Sequence, residues 1–282
     1  ADVLILEVGL GGSYDATNVI DQPALSVITP IDFDHKAFLG SDIRKIAGEK
    51  AGIIKSGRPA LTAIQRKICD NVIVKRAEDV GAPLYRLKAH FIDAMPEDLG
   101  LLGEHQRANA ALAAMAVQLF GNSTIIDQNA IFEGARNVVW PARMQRLKDG
   151  PLTALAPDQE IWLDGGHNPH AARAIARQLN NMPGRTALVA AMLASKDATG
   201  YFMPFRQVRP EVFTLPNAPG HQGAEPQALA EAATNAGLKA AAYDSLEAAL
   251  KAAATTGVDR ILICGSLYLA GEVLAQNGEP PA

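Results

Sequence analysis

The chain has 282 residues, more than the ~100–150 of a common single domain, so two domains are expected, each long enough to bury a core. Hydrophobic residues make up 48% and charged residues 20%, with no low-complexity tract, which excludes an extended disordered chain. A net charge of -4 offers no broad basic field for a phosphate backbone, and no apolar run reaches the roughly 18 residues that span a bilayer, so neither nucleic acid nor membrane is an expected partner. The two cysteines, Cys69 and Cys264, have no metal-ligand spacing and suggest a reducing compartment, with the cytoplasm as the default location.

Residues 3–8 and 25–31 are short runs rich in Val, Ile and Leu, bounded by Gly, Pro and Asp, as in parallel strands buried on both faces. Because the first run reads as a buried strand without a leading loop, upstream sequence is expected to precede it. A helix is predicted over 41–54 with Ser41 as its cap, a strand over 60–64, and helices over 65–80, 104–120 and 127–137. From about residue 147 strands at 161–163, 187–192, 212–215, 239–242 and 260–264 alternate with helices beginning at Pro169, Pro226, Ser245 and Leu267. That alternation predicts a doubly wound α/β domain. The boundary is placed at the Trp140-Pro141-Ala142-Arg143 stretch or just beyond, giving domains 1–145 and 146–282.

Several strand ends carry polar groups. Glu7 closes the first run and is followed by Gly9, Gly11 and Gly12, at the sheet edge where open α/β sheets bind ligands. Asp32-Phe33-Asp34-His35 follows the second strand and would converge with Glu7 on a metal or phosphate site, against the plainer reading of turn and surface residues. Lys50 lies on the 41–54 helix beside Glu49; an exposed charge pair is the plain reading, and a desolvated amine open to carbamylation is the functional one. Gly103 to Asn109 opens a helix whose first turn suits a nucleotide or simple capping. Asp164-Gly165-Gly166-His167-Asn168-Pro169 is a strand-to-helix turn with room for a ligand's close approach, or a tight turn without one.

Taken in order, E-V-G-L-G-G-S-Y-D-A-T-N from Glu7, D-H-K-A-F-L-G from Asp34, I-A-G-E-K-A-G-I-I-K from Ile46, G-E-H-Q-R-A-N-A from Gly103, W-P-A-R-M-Q from Trp140, D-G-G-H-N-P-H from Asp164 and C-G-S-L-Y-L-A-G from Cys264 resemble the folylpolyglutamate synthase and dihydrofolate synthase family of the Mur ligase superfamily. The resemblance spans nearly the whole chain. It implies a P-loop-type ATPase sheet domain, present in part, followed by a Rossmann-like C-terminal domain. Glu7, His35 and a carbamylated Lys50 would then ligate magnesium, with Lys50 and His35 at the catalytic centre. Tyr14, Asp15 and Ala16 would border the substrate, and Asn109, Arg143, Asp164 and His167 would meet ATP.

The implied reaction joins L-glutamate to dihydropteroate or to a tetrahydrofolate (poly)glutamate through an acyl phosphate, in a monomer. One departure is serious: the Gly-rich loop ending in Lys and Ser or Thr, which cradles ATP phosphates, is absent from these residues, so the segment alone should not turn over. Pro-Ala-Arg also stands where the family commonly has Pro-Gly-Arg, and Asp-Gly-Gly-His replaces forms such as Asp-Val-Ala-His. Two other readings stay open: a Mur-type ligase acting on a cell-wall nucleotide precursor, and a nucleotide-binding module without ligase activity.

Overall fold

A computed structural model describes residues 1–33, 40, 42–121, 126–218, 220 and 222–280. These form two compact units, one of residues 1–100 and 105–138, the other of residues 101–104 and 139–282. Both are α/β with parallel sheets.

The first unit holds strands β1 (Ser26–Ile28), β2 (Ala60–Thr62) and β3 (Leu84–Arg86), paired in that order and all parallel, with Val27 beside Leu61 and Leu61 beside Tyr85. Its helices are α1 (Ile43–Ala51), α2 (Lys67–Asp79), α3 (Ala89–Asp93), α4 (Glu104–Gly121) and α5 (Gln128–Asn137). Successive strand residues face opposite sides of a sheet, and β2 does so here. Ala60 packs with Ile46, Ala47, Cys69 and Ile73 from α1 and α2, whereas Leu61 packs with Ala111 and Leu112 from α4. Burying each large aliphatic side chain stabilises the fold by about 1.5–3 kcal/mol.

Here the structure corrects several expectations. The 3–8 run is not a strand: it is irregular, and Val3, Leu4 and Ile5 are exposed, Ile5 to 89%. Apolar residues make a strand only where a neighbouring edge pairs with them, and among the described residues none pairs with this run. Asp42, not Ser41, caps α1, its carboxylate accepting the Arg44 amide at 2.9 Å; Ser41 lies outside the described residues. The helix stops at Ala51, three residues early, where Gly52 meets the loop discussed below. Strand β3 and helix α3 were not anticipated.

The second unit contains β4 (Gln145–Arg146), β5 (Glu160–Asp164), α6 (Pro169–Asn181), β6 (Thr186–Ala190), α7 (Ala198–Phe202), β7 (Glu211–Thr214), α8 (Pro226–Asn235), β8 (Ala240–Ala242), α9 (Leu246–Ala254), β9 (Arg260–Cys264) and α10 (Leu267–Gln276). The sheet order is β4-β5-β9-β6-β7-β8, parallel except for the short edge strand β4. All five residues of β6 and of β9 are buried, as central strands covered on both faces must be. Leu246, Leu250, Leu269 and Val273 of α9 and α10 cover one face; Ile175, Leu179, Phe202 and Leu229 of α6, α7 and α8 cover the other. The chain runs from β5 through β6 and β7 to β8, then returns to insert β9 between β5 and β6. That reversal creates a switch point at the carboxyl ends of β5 and β9, the place where open α/β sheets take ligands. Among the described residues no helix is long and apolar enough to cross a membrane.

Candidate functional site

In the first unit the 10–19 loop is fastened to the end of α1. The Ser13 amide donates to the Glu49 carbonyl at 2.9 Å, and the Ser13 hydroxyl reaches the same oxygen at 3.3 Å. Two glycines permit this approach: Gly12 lies against the backbone of Glu49 and Lys50, and Gly52 leaves room for the Ser13 side chain, since a β-carbon on Gly52 would lie 2.0 Å from Ser13 Oγ. Lys50, half-buried, occupies the last turn of α1 directly under this contact.

Within the loop, Asp15 caps a 3-10 turn over Ala16–Val19. Its Oδ1 accepts the Thr17 hydroxyl at 2.6 Å and the Thr17 amide at 3.0 Å, and its Oδ2 accepts the Leu10 amide at 2.8 Å. Those donors, the Thr17 hydroxyl foremost, hold the Asp15 carboxyl down at about 2. Tyr14 beside it is 94% exposed, and Ala16 is exposed too.

The candidate metal ligands are only partly in view. Glu7 is exposed on the irregular segment, while Asp34 and His35 lie outside the described residues. Asp32 is paired with Arg66 at 3.0 Å, and its carboxylate accepts the Phe33 amide. Among the described residues no group of three His, Cys, Asp or Glu side chains is gathered for a metal. One carboxylate and one ammonium do not suit magnesium, which takes oxygen donors, unless the Lys50 amine is itself converted to an oxygen ligand. Asn109, on α4, donates to Gln106 Oε1 at 3.0 Å and is held flat on the helix.

In the second unit three candidates meet around Gly165. Asp164, the last residue of β5, stands in register with Cys264, the last of β9. Gly265 donates to the Gly166 carbonyl at 3.1 Å, tying the two strand-to-helix turns together. Asn168 caps α6, accepting the Ala171 amide at 2.9 Å with Pro169 in the first turn; Ser266 caps α10, accepting from Tyr268 and Leu269. Two helix N-termini therefore open at neighbouring strand ends, an arrangement that favours anions.

Asp164 is buried, and both its oxygens are taken: Oδ1 accepts the Gly166 amide at 2.7 Å, Oδ2 the Met144 amide at 2.9 Å. Burial pushes its carboxyl above the ordinary range, opposed by those two amides and by Arg143. The Gly165 amide donates to Ala142 at 2.8 Å, and Arg143 Nη1 to the same carbonyl at 3.2 Å. His167 Nδ1 lies 3.1 Å from the Gly165 carbonyl. Ala142 and Met144 flank Arg143 with φ of 56° and 43°, a left-handed backbone that L-residues adopt at a cost of roughly 1–2 kcal/mol each. Such strain persists where surrounding bonds over-determine it, as Asp164 does here. Met144 and Ser266 were missed as site-building residues; a capping Ser directly after Gly265 was the available signal for the second.

The model of the Mur ligase glutamate ligase domain matches residues 142–267. A dihydrofolate synthase/folylpolyglutamate synthase of Bacillus subtilis is 34% identical over 70% of this chain and 49% of its own length, and the folylpolyglutamate synthase of Lacticaseibacillus casei is 32% identical over 96% and 66%. The crystal structure of Mycobacterium tuberculosis folylpolyglutamate synthase complexed with ADP and AMPPCP superposes with a TM-score of 0.85 at 28% identity, covering 98% of this chain and 68% of that one. The chain belongs to the folylpolyglutamate synthase and dihydrofolate synthase family. It spans about half to two thirds of the length of these two curated relatives. The matched stretch runs from Ala142 to Leu267, and both of its ends lie against Gly165: the Gly165 amide donates to Ala142, and the Leu267 side chain fills the space where a Gly165 β-carbon would stand.

Proposed function

We propose that the protein is part of an ATP-dependent ligase that forms an amide between the amine of L-glutamate and the carboxylate of dihydropteroate or a folate (poly)glutamate. The carrying observation is the seating of the Gly12–Ser13 backbone on the Lys50 end of α1, which joins the two most distinctive family segments into one piece of structure. A carboxylate is a poor electrophile; ATP would convert it to an acyl phosphate, and amine attack would then expel phosphate. In this reading Tyr14, Asp15 and Ala16 border the substrate, while Asn109, Arg143, Asp164 and His167 serve the nucleotide. Arg143 would oppose phosphate charge, and the paired helix N-termini of α6 and α10 support an anionic ligand nearby.

Magnesium is the proposed cation, with Glu7, His35 and Lys50 as its ligands and His35 and Lys50 at the catalytic centre. Carbamylation of Lys50 would supply the missing oxygen donor, and a bound magnesium ion offsets charge on a transferring phosphoryl group. The enzyme is proposed to be cytoplasmic and monomeric.

The test is phosphate release by the natural full-length protein given ATP, glutamate and dihydropteroate. Release dependent on both acceptor and glutamate supports the reading. Activity only with a uridine-linked muramyl acceptor would move the protein to the cell-wall ligases. Nucleotide binding without turnover on either acceptor would make it a binding module.

A further inference from the structure

The residues proposed to border the pterin-bearing substrate are held from both sides by groups that have no assigned role. On the near side Ser13 is bonded to Glu49 of α1. On the far side Asn18 reaches back across the loop: its Nδ2 donates to the Ser13 carbonyl at 3.0 Å and approaches the Gly52 carbonyl at 3.5 Å. The Asn18 carbonyl in turn accepts Lys55 Nζ at 3.0 Å. Tyr14 projects into solvent, and the Asp15 carboxylate is committed to its own turn through Leu10 and Thr17. Where Tyr14 and Ala16 point is therefore set by the two ends of the loop, one closing on the last turn of α1 and the other on the turn that follows it.

We infer that Asn18 is a positioning residue for the pterin-bearing substrate: its side-chain amide clamps Ser13 to Gly52 and so fixes the Tyr14–Ala16 segment against the helix end that carries Lys50. This rests on the functional reading above. Asn18 need not touch substrate. Preorganising the loop removes an ordering cost that binding would otherwise bear, so its loss should appear in substrate affinity rather than in nucleotide affinity.

The experiment compares Asn18→Ala and Asn18→Asp in the natural full-length protein. Aspartate keeps the shape of the side chain but cannot donate to Ser13. Dissociation constants for dihydropteroate are read by calorimetry, and KM for dihydropteroate and for ATP by phosphate release. Both variants are expected to raise the dihydropteroate constants about five- to tenfold, as loss of one or two hydrogen bonds implies, with KM for ATP within about twofold of wild type. Should Asn18→Ala not fold, Lys55→Met removes the bond to the Asn18 carbonyl and is expected to shift the same constant in the same direction by a smaller factor. Folded variants that bind dihydropteroate as tightly as wild type, or that weaken dihydropteroate and ATP equally, overturn the inference while leaving the functional reading in place. A wild-type protein that binds no dihydropteroate overturns both.

Discussion

Gly12 lies so close to Glu49 that a β-carbon on it would stand 2.3 Å from the Glu49 carbonyl oxygen and 3.0 Å from the Lys50 α-carbon. Both obstacles are backbone and neither can swing aside. Gly12→Ala is therefore expected to destabilise the first unit by about 1–3 kcal/mol, the range for overpacking a tight contact. Gly48, the residue just before Glu49 on α1, has nothing within 4 Å of its missing β-carbon and sits in the helix interior. Gly48→Ala should stabilise α1 by up to about 1 kcal/mol, because alanine restricts the unfolded chain and suits a helix. Denaturant unfolding of the pair separates packing from propensity; equal effects would contradict the close contact.

Asp15 gives the loop an acid-sensitive element. Its carboxyl is held at about 2, below its ordinary value near 3.8, so the folded loop prefers the ionised form. The contribution is complete above about pH 4 and is lost as pH falls through 2. Asp164 has the opposite sign: with its carboxyl raised by burial, its contribution is full at low pH and declines as pH rises through the folded value. Thermal unfolding followed from pH 5 to 2 should show a steeper loss of stability in wild type than in Asp15→Asn, which keeps only the loss from carboxyls such as Asp98 and Glu247 that are also held low. An identical acid slope in the two proteins would mean that the Thr17 and Leu10 donors do not hold the charge.

Tyr201 is fully buried beneath the second sheet, and among the described residues its hydroxyl meets no partner better than the neighbouring Cys264 thiol, a weak acceptor. Burial also pushes the Cys264 thiol up to about 12, so it stays protonated and inert at neutral pH. Removing a buried hydroxyl without a good partner relieves its desolvation. Tyr201→Phe is expected to leave stability unchanged or raise it by about 1 kcal/mol, read from the denaturation midpoint. A loss above about 1 kcal/mol would show that the thiol contact matters more than its chemistry suggests.

The second unit was legible because each of its signals is local. Asp164 to Pro169 carries a strand end, a glycine turn, a capping Asn and a first-turn Pro within six residues, and the structure realises all four. The 3–8 run failed for the opposite reason: strand formation depends on a partner, which no apolar pattern can specify. Gly12 and Gly52 were legible as glycines but not as one contact, since the residues that need their small size lie about 40 positions away along the chain. The same holds for Asp164. Its motif suggested a ligand contact, while its bond to Met144 depends on the left-handed turn at Ala142, where glycine, the common family residue, would sit without strain.

That bond leads to a prediction about Arg143. With Met144 and Gly166 both donating to Asp164, the carboxylate closes a ring that runs from Ala142 through Arg143 to the β5 turn. Asn in its place accepts one amide and turns its own NH2 toward the other, leaving a buried donor unmet at a cost of about 1–3 kcal/mol. Released from its acceptor, Met144 loses the contact that offsets its left-handed backbone, and Arg143 loses its fixed direction. In the natural full-length protein, on the ligase reading proposed above, Asp164→Asn is therefore expected to lower stability by that amount and to raise KM for ATP about tenfold or more, with KM for the proposed pterin substrate little changed. Arg143→Ala should raise KM for ATP by a similar factor and lower stability less than Asp164→Asn does, because it removes a positive charge that favours the buried Asp164 carboxylate but, among the hydrogen bonds described, only the one to the Ala142 carbonyl at 3.2 Å. The double variant then decides between the two routes. If Asp164 acts through Arg143, adding Asp164→Asn to Arg143→Ala costs little further ATP affinity; additive losses would mean that the Asp164 carboxylate meets the nucleotide itself.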